Sequence, residues 1–379
     1  MDDSPASSKE IKVLITVPHA EVAGGVANYY RIFRKHGSKR FEFIIIGNQG
    51  RERSLCRTLI RFLTDIRCFI KTIISNPYDL IILNPSLDPK SLVRDGMHLF
   101  LAKLFGKKVV VFFRGWHTKW EPLIFDKLGW FFRFCFFKAN AMITLAVEFK
   151  KKLENIGYSK PIFLETTIVD DDAFSDFRRK KYKLSPERFD SGIHILFLSR
   201  IQREKGIYET IKAFQVLKRR HPTVSLSIAG DGKELDRVIQ YIDRSHIESI
   251  EILGYIDGRE KTEAFQKADI YLFPTYYGEG MPNSVLEAMA YGLPVITRPV
   301  GGIKDFFEDG KMGCLSNSLS PKVIASNIER LIVNPNLVNK IGKYNHEYAK
   351  QHFGSSQVIQ RIELICELVF KGKKDEAGA

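Results

Sequence analysis

The sequence has no apolar run approaching the roughly 18 residues that a membrane-spanning helix needs. Val109 to Phe113 is typical of its longest. The opening MDDSPASSKE is polar and acidic, which predicts no secretory signal. Cysteine is scarce: Cys56, Cys68, Cys135, Cys314 and Cys366 are five, an odd number, with neither CxxC spacing nor a disulfide rhythm. These scarcities argue against a transmembrane helix and a structural zinc site, and they predict a reducing, cytoplasmic compartment. Bulk disorder is also disfavoured, because 44% of residues are hydrophobic and 27% charged. A chain of 379 residues exceeds what one ordinary core serves, so two domains are expected.

Charge is unevenly divided. Residues 1–170 carry a net +11 and the remainder +3. A basic first half attracts anionic partners such as nucleic acid, phosphorylated substrates or an acidic membrane face, although a general solubility charge gives the same count.

Short apolar runs alternate with helical patterns from end to end. Strands are predicted at Lys12–Thr16, Phe41–Ile46, Leu80–Leu83, Lys108–Phe113, Ala141–Thr144 and Ile162–Leu164. A second series follows at Ile193–Leu198, Val224–Ala229, Ile250–Leu253, Ile270–Phe273 and Pro294–Thr297. Strand–helix alternation predicts α/β architecture with two doubly wound parallel sheets. One amphipathic helix begins at Leu55, with Leu59, Leu63, Ile66, Ile70 and Ile73 on the core face and a basic stripe from Arg53 to Lys71 opposite. The stretch 170–190, DDDAFSDFRRKKYKLSPERFD, is charged and unpatterned and is expected to be a linker rather than a metal site. The domains are therefore drawn as 1–172 and 173–354, with a last helix at about 355–379 returning to the first.

Open parallel sheets bind ligands at the carboxyl ends of their strands, where helix N-termini hold phosphates. After the first strand, Gly24-Gly25 would let backbone approach a phosphate, though a Gly-Gly turn is often a plain loop. After Ile193–Leu198, Arg200 and Lys205 can converge on one crevice as a fork and a point charge, or stand as two solvated cations. Gly230 in AGDG closes the next strand, and the backbone around Tyr255 could face a planar base. The densest segment is PTYYGEGMPNSVLEAMA. Pro282 fits the first turn of a helix and would leave the amides of Asn283, Ser284 and Val285 unpaired, an anion site. Glu279 before that helix and Glu287 within it could accept hydrogen bonds from two sets of hydroxyls, such as a sugar and a ribose.

GEGMPNSVLEAMAYGLPVI, together with Arg200…Lys205-Gly206, AGDG, LGYI and Gly301-Gly302-Ile303, resembles the retaining glycosyltransferases of family 4. The resemblance is sharp over roughly residues 193–315 and looser over the first domain. It implies the GT-B fold, two Rossmann-like domains facing across a cleft, the first binding acceptor and the second a UDP- or GDP-linked sugar. It implies that Arg200 and Lys205 hold the donor diphosphate and stabilise the leaving nucleotide, and that Glu287 binds the ribose. Glu279 and the backbone of Gly280, Met281, Pro282 and Asn283 would hold the donor sugar, and Gly25 would cap the diphosphate. His117 in FRGWH matches a histidine near sugar and acceptor. The implied activity is hexosyl or N-acetylhexosaminyl transfer to a glycan or lipid-linked acceptor, with no metal or other cofactor. Asp305 stands where the family usually has Glu, and the segment 163–170 lacks the usual asparagine and glycine.

No paired acids stand as in retaining hydrolases, so front-face substitution with retention is expected. A sugar-nucleotide epimerase shares the architecture but would need acid/base residues around the sugar. A basic nucleic-acid-binding protein would need an RNA-type module or recognition helix, and none is found. Residues 130–137, WFFRFCFF, carry six aromatics among Lys127, Arg133 and Lys138. With the Arg53–Lys71 stripe they suit peripheral contact with an anionic membrane, against the alternative of a core helix behind the sheet.

Overall fold

The computed structural model describes residues 10–19, 24–47, 55–179 and 192–372. The chain divides into two compact units: residues up to Thr166 together with those from Val358 onward, and Thr167–Gln357. Each is an α/β unit around one parallel sheet, as the alternation of elements predicts.

The first unit runs β1 Val13–Val17, α1 Gly25–His36, β2 Phe41–Ile45, α2 Leu55–Ser75, β3 Leu80–Leu83, β4 Ser86–Leu87 and α3 Pro89–Leu104. It continues with β5 Lys108–Phe112, β6 Gly115–Trp116, α4 Gly129–Phe136, β7 Ala141–Thr144, α5 Val147–Asn155 and β8 Ile162–Leu164. The main sheet has the order β2-β1-β3-β5-β7-β8, and β4 and β6 pair beyond it. Strands such as LIIL in β3 are buried throughout, which is why they read as unbroken apolar runs. Helices of this topology run back against the strands, so their N-termini lie at the carboxyl edge of the sheet. α3 starts sharply because Asp88 accepts hydrogen bonds from the amides of Lys90 and Ser91 at 3.1 and 3.0 Å, with Pro89 in the first turn. Beyond Val358 the final helix, Ser355–Lys371, is tied to this unit by Arg361, which forks onto the buried carboxylate of Glu165 at 2.6 to 3.2 Å.

The second unit contains β9 His194–Leu198, β10 Ser225–Ala229, β11 Ile250–Gly254, β12 Ile270–Phe273, β13 Val295–Thr297 and β14 Gly313–Leu315. Their order is β11-β10-β9-β12-β13-β14, all parallel. The order reverses between β9 and β12, the switch point at which such sheets open a crevice; in the first unit it reverses between β1 and β3.

Three sequence expectations are corrected. β14 was not expected, because a three-residue strand with Gly313 at its start has no apolar period to read. It is held by pairing with β13 and by buried Asn345, whose Nδ2 donates to the carbonyls of Leu293 and Met312, both at 2.8 Å. The charged stretch after Asp170 is not a plain linker: Asp172–Arg179 is helical, and Val169, Ala173 and Phe174 enter the second core. The unit boundary accordingly falls at Thr166/Thr167 rather than after residue 172. Asp171 accepts from the amide of Ser356 at 3.2 Å and from its hydroxyl, so this carboxylate braces a helix start. The rest of the stretch, 180–190, lies outside the described residues. Phe174→Ala should cost about 3 kcal/mol, measured by urea unfolding, because the ring is 7% exposed and stands 5.7 Å from His346.

The third correction concerns α2. Its predicted apolar positions do share one face, but Leu59 and Leu63 are 60% and 57% exposed, while Phe69 and Ile73 are buried. A helix of 21 residues is ~31 Å long, about twice the length of the strands it crosses. Its first turns therefore run past the carboxyl edge with the same stripe and no core to meet. Arg53 of the basic stripe lies outside the described residues.

Candidate functional site

The chain leaves β9 through Ser199 and Arg200 and makes a 3-10 turn, Arg203–Lys205. Gly206 follows with φ 81°, a left-handed conformation that suits glycine, and a Cβ there would lie 2.6 Å from the carbonyl oxygen of Pro274. The loop after β9 is thereby pressed against the loop after β12. Thr275 Oγ1 donates to the carbonyl of Glu204 at 3.3 Å, and the Tyr276 amide does so at 2.9 Å.

This contact buries Lys205 to 5% exposure beside Glu279 at 8%. Lys205 Nζ donates to Glu279 Oε1, which also accepts from Thr275 Oγ1 at 3.1 Å. Nζ stands 4.2 Å from the ring centre of Tyr277, and the exposed Arg200 guanidinium lies 5.9 Å from the same ring. Burial pushes the Lys205 pKa below the ordinary lysine value; Glu279 opposes the shift and Arg200 adds to it. Sequence reasoning brought Arg200, Lys205 and Glu279 to this place, but it missed Thr275 and Tyr277, whose only signal is adjacency to GEG. It also gave Glu279 to a ligand alone, whereas one of its oxygens is already engaged by Lys205.

The helix Asn283–Ala290 starts at Pro282, which is its N-cap at φ −76° and ψ 113° rather than a first-turn residue. Its first turn has no side-chain cap and no acid, so the positive end of the helix dipole is uncompensated. Two further expectations are corrected here. The Val285 amide is not unpaired, since it donates to the Pro282 carbonyl at 3.1 Å, and the Val285 side chain is core. Met281 also packs partly on that core, while Ser284 is half-buried. Gly280 is fixed from behind: its carbonyl accepts from the Gly302 amide at 2.8 Å.

Glu287, in the second turn, is 8% exposed, and Lys261 Nζ donates to its Oε1 at 2.9 Å. Lys261 had no signal in sequence, being one lysine of the amphipathic helix Gly258–Lys267. Gly230 has a packing reason, because a Cβ there would stand 1.8 Å from the Ser199 carbonyl oxygen. Tyr255 is 62% exposed, and the backbone before it turns at Gly254, φ 66°.

His117, Gly24 and Gly25 belong to the first unit. Gly24 is the N-cap of α1, at the β1/β3 switch point, where Asn84 donates to the Thr16 carbonyl at 2.7 Å and accepts from Tyr30 at 2.5 Å. His117 is half-buried and caps the turn Thr118–Trp120. It follows Trp116, which stacks on Phe149 at 4.5 Å and donates to Glu121 at 2.5 Å. Arg114, three residues earlier, was not singled out in sequence. It is 7% exposed, with its guanidinium 3.6 Å from the Tyr29 ring centre.

Residues 179–348 match the family model described as Glycosyl transferases group 1. An uncharacterised glycosyltransferase of Methanocaldococcus jannaschii is 26% identical over 258 residues, 66% of this chain and 65% of the relative. The capsular polysaccharide biosynthesis glycosyltransferase CapM of Staphylococcus aureus is 26% identical over 230 residues, 60% of this chain and 58% of the relative. The matches thus span less than two thirds of these relatives' own lengths. Among solved structures, Anabaena HepE in complex with UDP superposes with a TM-score of 0.71 at 18% identity, over 94% of this chain and 100% of that one. The shared fold is GT-B.

Proposed function

We propose that the chain is a retaining glycosyltransferase that moves a hexosyl or N-acetylhexosaminyl group from a UDP- or GDP-linked donor to a hydroxyl of a glycan or lipid-linked acceptor. The observation that carries this reading is the pairing of buried Lys205 with Glu279 beside Arg200, at the β9/β12 switch point. Synthesis of a surface polysaccharide or glycolipid is the setting proposed, supported by the resemblance to CapM. The second unit takes the donor and the first the acceptor, in the cytoplasm.

In this reading the bond between the sugar's anomeric carbon and the diphosphate oxygen breaks, and a bond from the acceptor oxygen to that carbon forms on the same face. The acceptor's proton passes to the departing phosphate. Negative charge grows on the leaving oxygens, where Arg200, Lys205 and the uncapped end of helix Asn283–Ala290 stabilise it. These groups supply positive charge without a resident metal. Glu287 accepts from the ribose hydroxyls and Glu279 from the sugar, through the oxygen that Lys205 leaves. His117 serves as a polar partner near sugar and acceptor.

The test is thermal stabilisation by a panel of nucleotide sugars and free diphosphates with chelator present. Ligand at 100 times its dissociation constant adds about 2.7 kcal/mol. A shift with one donor and its diphosphate, absent in Glu287→Ala, is expected. No shift with any nucleotide overturns the reading.

A further inference from the structure

Arg114 lies two residues past β5, at the carboxyl edge where sheets of this kind meet their ligands. Its amide donates to the Pro85 carbonyl at 2.9 Å, which ties the loop after β5 to the loop after β3. The guanidinium stands 3.6 Å from the ring centre of Tyr29, 4.3 Å from that of Phe112 and 5.7 Å from that of Tyr30. Aromatic rings meet the faces of a guanidinium, whereas its N–H donors point outward in its plane. Among the described residues Nε and Nη1 are enclosed without an acceptor, and no carboxylate stands at ion-pair distance. The hydroxyl of Tyr29 is likewise enclosed without a partner. Burial pushes the Tyr29 phenol above its ordinary pKa, so it keeps its proton and remains a donor.

The neighbouring groups do not supply the missing charge. Glu165 is the buried acid that acts on Tyr29, but its oxygens already accept from Arg361 at 2.6 to 3.2 Å and from the Thr166 amide at 2.8 Å. Tyr30 gives its hydroxyl to Asn84, whose own amide is held by the Thr16 carbonyl. A guanidinium cannot shed its charge on burial, and a buried charge without a partner is among the costliest arrangements in a fold. Such an orphan calls for a specific cause, and a ligand that completes it is one. Nη2 is the nitrogen that is not enclosed, so an oxyanion arriving there lies along the Nη1–Nη2 end of the fork and can take an N–H from each. We infer that Arg114 is an anion-binding residue of the first unit, and that its ligand carries a carboxylate or a phosphate ester. Calling that ligand the acceptor rests on the transferase reading; the glycan would then present an acidic or a phosphorylated sugar. A neutral acceptor would leave the cation as orphaned as before.

Binding of small anionic sugars to the full chain tests it. Methyl glucuronide supplies the carboxylate and glucose 6-phosphate the phosphate, with methyl glucoside as the neutral control. One of the two anions should bind the parent at least tenfold more tightly than the neutral sugar, and which one does so names the oxyanion. Arg114→Met should weaken that anion about tenfold to a hundredfold, as loss of a charged hydrogen bond does, and leave methyl glucoside unchanged. Phosphates also meet Arg200 and Lys205, so the affinity lost in Arg114→Met is the part that counts. Without ligand, Arg114→Met should unfold at or above the parent's midpoint, since an apolar chain replaces an unpaired charge. A lower midpoint with anion binding intact means that ring stacking alone holds Arg114 in place, and overturns the inference. Should the methionine variant melt too low to titrate, Arg114→Lys, which keeps a cation without the fork, should bind the anion at least threefold more weakly; equal binding overturns the inference too. A parent that responds to nucleotides but prefers neither anion loses this inference and keeps the transferase. One that prefers an anion but responds to no nucleotide keeps the site and loses the acceptor as its ligand, and one that responds to neither loses both.

Discussion

Replacing Lys205 by methionine should destabilise the second unit by about 3–5 kcal/mol, because it leaves a carboxylate buried without its counter-charge. Glu279 is 8% exposed and would keep only the Thr275 hydroxyl, at 3.1 Å. Glu279→Gln strands the cation instead. Burial already pushes the Lys205 pKa down and Glu279 is what holds it up, so the amine should lose its proton at a lower pH in that variant. Combining Lys205→Met with Glu279→Gln removes both charges and should recover most of the lost stability in urea melts.

Ligand binding separates two roles for the pair. If it is a donor site, the double variant stays stable yet binds a nucleoside diphosphate roughly tenfold to a hundredfold more weakly, the worth of a charged hydrogen bond. Turnover should fall further, by about 10²–10³, the usual loss for one preorganised donor at a developing oxyanion. Affinity in the parent should decline as pH rises through the Lys205 pKa, since only the ammonium form attracts phosphate. In Glu279→Gln that decline should begin at lower pH. A double variant that is stable and binds diphosphate like the parent would mean that the pair is purely structural.

The strands were legible because parallel sheets bury both faces of each strand: VLITV, LIIL and HILFL admit no other reading. The second-unit site was legible for a related reason. Glycine, proline and charge at strand ends are expensive in any packed element, so their recurrence at Arg200–Gly206, Gly230 and Gly278–Pro282 marks loops that meet. What could not be read was partnership across elements. Lys261 looks like any solvent-facing lysine until its helix is placed beside Glu287. Thr275 and Tyr277 gain meaning only when the β12 loop is pressed on the β9 turn. Phe174 sits in a charged stretch with no apolar period, and only contact with His346 and the second core makes a helix of it. Leu59 and Leu63 show the reverse failure. The periodicity is right, but helix length relative to strand length decides whether a stripe finds a core.

Gly301→Ala should abolish donor binding from outside the crevice. Gly301 has φ 50°, and a Cβ there would stand 1.9 Å from the Glu279 carbonyl oxygen and 2.8 Å from that of Gly280. Those neighbours are backbone, so no rotamer change relieves the overlap, and carbon contacts need about 3.5 Å. The loop carrying Glu279 must therefore move by more than an ångström, enough to break its bonds to Lys205 and Thr275. The strained φ alone costs about 1–3 kcal/mol, so the control must carry the same strain without the overlap. Gly310 supplies it: its φ is 77°, and the nearest atom to an added Cβ is the flexible tip of Arg330 at 4.0 Å. Both variants should melt below the parent, Gly301→Ala further. At a temperature where circular dichroism shows both folded, Gly310→Ala should bind the donor's diphosphate as the parent does and Gly301→Ala should not. Equal binding by the two would mean that the position of Glu279 is set elsewhere, and that the glycine pair at 301–302 serves the fold alone.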